Sequence, residues 1–452
     1  MNKSNPLWNK GYQVDDLMLR LTVGTDYLVD CQIARFDCIG SAAHAKMLES
    51  IGILKKDELV KLLAGLKEIA QTAAEGNFQI PVELEDAHTV IESKLAEKYG
   101  ETGKRIHAGR SRNDQILLAT RLYTRHLVMS WTKHLLDLST LFFSRAQHFG
   151  HIAMPGYTHL QRAMPSSVAM WMHAFAEGTL DLAREGLGLI LILNRNPLGA
   201  GAGFGSSLPL DREMVARLLG FDAAQRSVID VQNSRGRNEL RALQFAARIA
   251  SLYEKLGWDF VLYCSEEFGF IKLPKELTTG SSIMPQKRNP DLAELLRGKA
   301  SRVRSKATEL EWVIAKLPSN YHRDLQYSKE PLVAGAQELA DIFAMTELLV
   351  KGFTLNQERL QAAMTSELYA TYEAFRLVQS GMPFRDAYQQ VAQKVEAKKI
   401  DKDALESDFD FIKQTADQEI IQGIEELNSL VVNLIKWHEK ISLVEQEVFH
   451  SA

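Results

Sequence analysis

The sequence predicts a mainly α fold, in which a central bundle of long helices is flanked by smaller helical N- and C-terminal domains. Three observations carry that expectation. Apolar residues recur at spacings of three and four over long runs, as Leu127, Trp131, Leu135, Leu138, Phe142 and Ala146 do. Alternating strand patterns are sparse. Helix starts are chemically marked, above all at Asn289-Pro290-Asp291, where an N-cap residue, a proline suited to the first helical position and a first-turn acid follow one another.

Along the chain, residues 1–110 read as short helices punctuated by turns. Glu85, Asp86 and His88 read there as a capped, solvated helix start rather than a metal cluster. One helix is expected over 113–149, stopping at Gly150 and about 55 Å long. A second runs from near Pro165 to about residue 193. Residues 194–234 hold many glycines and read as a long crossover. Its segment 197–205 does not match the G-x-G-x-x-G phase, because Phe204 and Ser206 stand at the places of the last glycine, and it follows a helix; no dinucleotide site is expected. Further helices are predicted over 237–268, 290–317 and 329–350. The expected division is thus 1–110, a central bundle at 111–360, and a C-terminal domain of shorter helices at 361–452.

Composition narrows the function classes. A formal net charge of −4 argues against a nucleic-acid-binding protein. The local cluster Lys104, Arg105, His107, Arg110 and Arg112 is the exception; it reads either as a solvated basic face or as a site for a small acidic substrate. Cys31, Cys38 and Cys264 form neither a metal-like spacing nor an even disulfide framework, which fits the reducing cytoplasm. Residues 1–6 lack the apolar core of a signal peptide, and the longest apolar run, 189–193, is too short for a membrane span.

The most informative stretch is the loop Gly280-Ser281-Ser282-Ile283-Met284-Pro285-Gln286-Lys287-Arg288-Asn289-Pro290. It places two hydroxyls and a cation just before a helix start, whose free N–H groups attract anions. Serine is a weak base on its own. A cationic, water-poor setting, supplied by closure of the loop over a substrate, would allow it to accept a proton.

This loop resembles the signature of the fumarase, aspartase, argininosuccinate lyase and adenylosuccinate lyase superfamily. His107-Ala108-Gly109-Arg110-Ser111-Arg112-Asn113-Asp114-Gln115, Pro155-Gly156-Tyr157-Thr158-His159-Leu160-Gln161, and Asp324 to Glu330 with Leu325, Gln326 and Lys329, resemble the argininosuccinate lyase branch. The resemblance implies reversible β-elimination of argininosuccinate to arginine and fumarate, a reaction that requires no metal or organic cofactor. By that resemblance Ser281 is the base, and Lys287 with Asn289 stabilises the carboxylate and its carbanionic form. His159 is the acid or proton relay, and Glu294 is its carboxylate partner. Asn113, Thr158, Tyr321, Gln326 and Lys329 match substrate-binding positions, with Ser111 and Arg112 as further candidates. Each has an ordinary structural alternative, from a hydrogen-bonded turn histidine at His159 to a surface carboxylate at Glu294.

The chain departs from the branch at Leu7-Trp8-Asn9-Lys10-Gly11-Tyr12, at Thr22-Val23-Gly24-Thr25-Asp26 and at Asn233-Ser234-Arg235-Gly236-Arg237. An extra cation such as Arg235 or Arg237 would suit an additional carboxylate, so an N-acylated argininosuccinate is an alternative substrate. Adenylosuccinate is another, and a crystallin-like structural protein is the non-enzymatic alternative.

Each motif precedes a predicted long helix. If the first two helices pack antiparallel, their N-terminal ends lie roughly 40–50 Å apart, and one chain does not bring the motifs together. A homo-oligomer with composite sites is expected. The resemblance implies a homotetramer whose sites are built from three chains and whose bundles assemble into a larger helical core.

Overall fold

The computed structural model describes residues 15–451; the motif departure at 7–12 and the polar stretch 1–6 lie outside the described residues. Numbering only helices of eight or more residues, the chain forms α1 (Asp16–Val23), α2 (Ala34–Ser50), α3 (Lys56–Ala74), α4 (Ala87–Tyr99), α5 (Arg112–Phe149) and α6 (Val168–Leu193). These are followed by α7 (Arg237–Cys264), α8 (Asp291–Ile314), α9 (Lys329–Gly352), α10 (Ala370–Gln379), α11 (Phe384–Glu396) and α12 (Lys402–Glu447).

α5 starts on a reciprocal cap. The Asn113 N–H donates to Ser111 Oγ at 3.2 Å, and the Ser111 N–H donates to Asp114 Oδ1 at 2.9 Å. The helix stops at Gly150, whose φ of 56° suits glycine. The Ala169 N–H donates to the Gly150 carbonyl at 3.0 Å, and Ser139 Oγ donates to the Ala176 carbonyl at 3.3 Å, so α6 returns antiparallel along α5. Gly186 permits the close approach: a Cβ there would lie 2.2 Å from Thr132 Oγ1.

Gly236, just before α7, faces Ile314 at the end of α8, while Gly257 faces Ala293 and Leu296 at its start; α7 and α8 are therefore antiparallel too. Phe142, Phe245, Tyr253, Phe260 and Leu339 are fully buried among these helices. Each such side chain contributes about 1.5–3 kcal/mol relative to exposure.

The bundle consequently has two distinct ends. At one lie the starts of α5, α7 and α9 and the end of α8. At the other lie the ends of α5, α7 and α9 and the start of α8, together with the connection from α5 to α6.

Three local expectations are corrected. Pro165 does not open α6; it pairs with Pro155 in an antiparallel hairpin of β1 (Ala153–Thr158) and β2 (Gln161–Ser167). α6 begins at Val168, where Ser167 Oγ accepts the Met170 N–H at 3.2 Å. Asn289 is not the cap of α8: Pro290 holds that position, and Asn289 pairs with Thr279. The C-terminal region is not built of short helices alone, since α12 spans 46 residues. It is tied to α2 by Arg35–Glu445 at 2.6 Å and to α6 by Arg184–Glu426. Its buried positions, such as Phe409, Ile420, Leu427, Leu434 and Ile441, form a narrow stripe on a charged helix, which blurs the periodic signal.

Candidate active site

At the first end, a cavity of about 150 Å³ opens between the end of α1, the starts of α4 and α5, Arg235, and the segment 321–329. Arg112, Asn113, Tyr321, Gln326 and Lys329 come together here from two distant stretches of sequence. Lys329 is only 2% exposed, with Nζ 2.5 Å from Asp30 and 3.1 Å from Asp26. Burial alone would depress the ammonium, but the two carboxylates outweigh it and hold Lys329 above the ordinary lysine value. Burial in turn pushes the Asp26 carboxyl up, despite Lys329. Gln326 Nε2 donates to the Thr22 and Val23 carbonyls at 2.8 and 3.2 Å, so its amide nitrogen already anchors the end of α1.

Arg112 donates to Thr89 Oγ1 at 2.6 Å and lies 3.6 Å from Glu85 and Asp86. Arg235 is 7% exposed, and its guanidinium sits 5.1 Å above the Tyr321 ring. Arg237 instead binds Asp230 through both terminal nitrogens, at 3.0 and 3.1 Å. Of these two arginines only Arg235 lines the cavity. Ser111 serves as the helix cap and does not line it.

His88 lines the same cavity and corrects the sequence reading. The start of α4 is capped as expected, with Asp86 Oδ1 accepting the Thr89 N–H at 2.9 Å, but it is not solvated. His88 is buried, with Nδ1 2.8 Å from Asp37 and Nε2 3.4 Å from Asp86. Burial disfavours the imidazolium, yet Asp86 and Asp37 outweigh it and raise His88 to about 9. Both carboxyls are themselves held below their ordinary value against burial, with His88 the main opposing influence.

The basic cluster divides: Lys104 and Arg105 are exposed, as the solvated-face reading expects, whereas Arg110 is buried, and the cations are paired with acids or hydroxyls. Lys104 pairs with Glu101, Arg105 with Glu58, and His107 with Glu92, while Arg110 is buried against Ser41 and Glu92; only Arg112 reaches the cavity. The glycine segment is also accounted for, because Asp114 Oδ2 accepts the Gly199 and Gly201 N–H groups at 3.0 and 2.8 Å.

The opposite end carries the other predicted residues; Thr158, His159, Lys287 and Glu294 are exposed there, and Ser281 and Asn289 are half-buried. Thr158 and His159 lie at the tip of the β1–β2 hairpin. His159 and Leu160 have φ of 52° and 57°, the left-handed pair that a two-residue hairpin turn requires. Neither is glycine or asparagine, so the turn holds strained backbone of the kind that clusters at functional sites.

The loop between α7 and α8 is clamped at its base by two hydrogen bonds between Thr279 and Asn289, at 2.9 and 3.2 Å. Inside it, Ser281 Oγ accepts the Ile283 and Met284 N–H groups at 3.2 and 3.1 Å. Two donors aimed at one oxygen favour negative charge on it. Lys287 is exposed in the same loop, and Glu294 is exposed in the first turn of α8, 3.7 Å from Arg297. The 38 residues of α5, about 57 Å, separate the cavity end from the hairpin end.

Sequence reading missed Asp26, Asp30, Arg323 and His88 as parts of the cavity and its wall. Asp30 and Lys329 are 299 positions apart, and no local pattern links them.

Comparison with known proteins agrees with this architecture. The lyase family model matches residues 13–305. The chain is 42% identical over 397 residues to argininosuccinate lyase of Phocaeicola vulgatus, covering 88% of this chain and 89% of the relative. It is 43% identical over 395 residues to the Parabacteroides distasonis argininosuccinate lyase, covering 87% and 88% respectively. Among solved structures, EDDS lyase in complex with formate superposes with a TM-score of 0.78 at 21% identity, covering 97% of this chain and 95% of that one. Class II fumarase from Schistosoma mansoni gives 0.70 at 14% identity, covering 86% and 93%. These structures share the fold. The chain belongs to the lyase family of helical-bundle enzymes, and within it to the argininosuccinate lyase group.

Proposed function

We propose that this lyase cleaves the carbon–nitrogen bond of argininosuccinate by reversible β-elimination, releasing arginine and fumarate in arginine biosynthesis. The observation that carries the reading is Ser281 Oγ, which receives two backbone N–H groups in a loop that also bears Lys287. Ser281 takes the proton beside the substrate carboxylate. Lys287 and Asn289 stabilise the resulting aci-carboxylate. His159, oriented by Glu294, delivers a proton to the departing guanidinium nitrogen, directly or through water, and Thr158 binds the same half of the substrate.

The arginine end occupies the cavity of Arg112, Asn113, Tyr321, Gln326 and Lys329, with Ser111 holding the helix start beneath it. Because these two sets lie at opposite ends of the bundle, the complete site draws on neighbouring chains in a homotetramer. Three free cysteines fit a cytoplasmic setting, and no helix among the described residues is long and apolar enough to cross a membrane.

The test is fumarate release, followed by ultraviolet absorbance, with argininosuccinate, adenylosuccinate and N-succinylated argininosuccinate in parallel. Turnover of argininosuccinate that disappears in Ser281→Ala is the expected result. Turnover of another compound alone reassigns the substrate, and silence on all of them favours a structural role. Arg235, buried and lining the cavity, supports the N-acylated compound as the second reading; no heat of binding with that compound in calorimetry removes it.

A further inference from the structure

We propose that Asp114 and the glycine segment it grips, residues 197–205, form a positioning device that sets the two walls of the arginine-end cavity at their working separation. The inference rests on the reading of that cavity given above. Asp114 is fully buried and follows Asn113, which lines one wall. Its carboxylate accepts three N–H groups, from Ser111 through Oδ1 at 2.9 Å and from Gly199 and Gly201 through Oδ2 at 3.0 and 2.8 Å. Gly199 and Gly201 have φ of 87° and 58°, so their amides turn toward a common point. Such concave amide arrangements bind anions, and here an internal carboxylate fills the role.

The far side of the segment meets the other wall. The Gly201 carbonyl accepts Gln232 Nε2 at 3.0 Å, and the Gln232 carbonyl accepts the Arg235 N–H at 3.2 Å. At Gly203, φ 105°, a Cβ would lie 2.7 Å from Gln232 Cγ and 2.8 Å from Asn320 Oδ1. Asn320 is itself held at φ 77° with its N–H donating to Asn233 Oδ1 at 2.7 Å, and the next residue is Tyr321. Asn113 on one wall and Arg235 with Tyr321 on the other are thus joined through one glycine segment. Asp114 does not line the cavity, so its part is positioning and not direct contact with substrate.

Two variants test this. Asp114→Asn keeps the size but turns an NH2 group toward donors, and Gly203→Ala pushes Gln232 and Asn320 apart while leaving Asp114 intact. In both, calorimetric affinity for arginine should fall about tenfold or more, roughly 1.4 kcal/mol, with the KM for argininosuccinate rising in parallel. Inhibition by fumarate should stay at the wild-type value, a split that general loosening of the fold does not produce. Wild-type arginine affinity in either folded variant, or equal weakening toward arginine and fumarate, overturns the proposal. Loss of helical circular dichroism in both variants also overturns it, by making the device a support for the whole fold. Failure of the wild-type protein to turn over argininosuccinate would instead sink the functional reading on which the proposal rests.

Discussion

The two ends of the bundle are built differently. At the cavity end the polar groups are buried and paired before any ligand arrives, with Lys329 between Asp26 and Asp30, His88 between Asp37 and Asp86, and Gln326 on the end of α1. At the hairpin end Thr158, His159, Lys287 and Glu294 are exposed. Buried charge is tolerated only when it is paired, so the cavity end is pre-organised and expensive to disturb. Exposed groups in loops carry little of the stability and are free to meet a neighbouring chain or close over substrate. In the proposed mechanism, recognition falls to the rigid end and proton transfer to the adaptable one.

The sharpest way to break that contrast is to compare substitutions at the two ends. Ser281→Ala should lower kcat by about 10²–10⁴-fold, the range for loss of a positioned proton acceptor, with no change in the urea midpoint. A parallel drop in stability would show that the loop also supports the fold. Lys329→Met should do the reverse in unfolding experiments. It leaves Asp26 and Asp30 without their cation and should cost about 3–5 kcal/mol; a loss below about 1 kcal/mol would mean that the pair is solvated.

pH sharpens the comparison next. The folded value of His88, about 9, lies above its ordinary 6.5, so its stabilising contribution is fully present below about pH 6.5 and disappears as pH rises through 9. The total is roughly 3 kcal/mol. Urea midpoints across that window should decline in the wild-type protein and stay flatter in His88→Leu. The smallest effect belongs to the hairpin. Leu160→Gly relaxes a left-handed backbone at a residue 64% exposed and should change stability by no more than about 1 kcal/mol. Hydrogen exchange of the β1–β2 amides measures it, and a loss of several kcal/mol would contradict the exposed, adaptable hairpin.

Association is tested by sedimentation. A fully active monomer in the ultracentrifuge would end the assignment of the two ends to different chains.

Legibility in the sequence followed the range of the interactions. The extents of α5 and α9 were close to readable, because helix periodicity and, for α5, the stop at Gly150 are local signals. The hairpin was not, because β1 and β2 contain prolines and few branched residues, and their pairing rather than their composition makes them strands. His88 looked solvated because nothing near it in sequence announces Asp37, 51 positions away.

By itself the sequence determined the helical class, the long bundle helices, the motif loop that carries Ser281 and Lys287 and the family resemblance, all of which rest on neighbours within a few turns of chain. Only the tertiary structure decided that Arg235 and not Arg237 lines the cavity, that Lys329 is clasped by two buried acids, and that an internal carboxylate fills the glycine segment. Burial and charge pairing depend on what the fold brings together, and those partners are separated by tens to hundreds of residues.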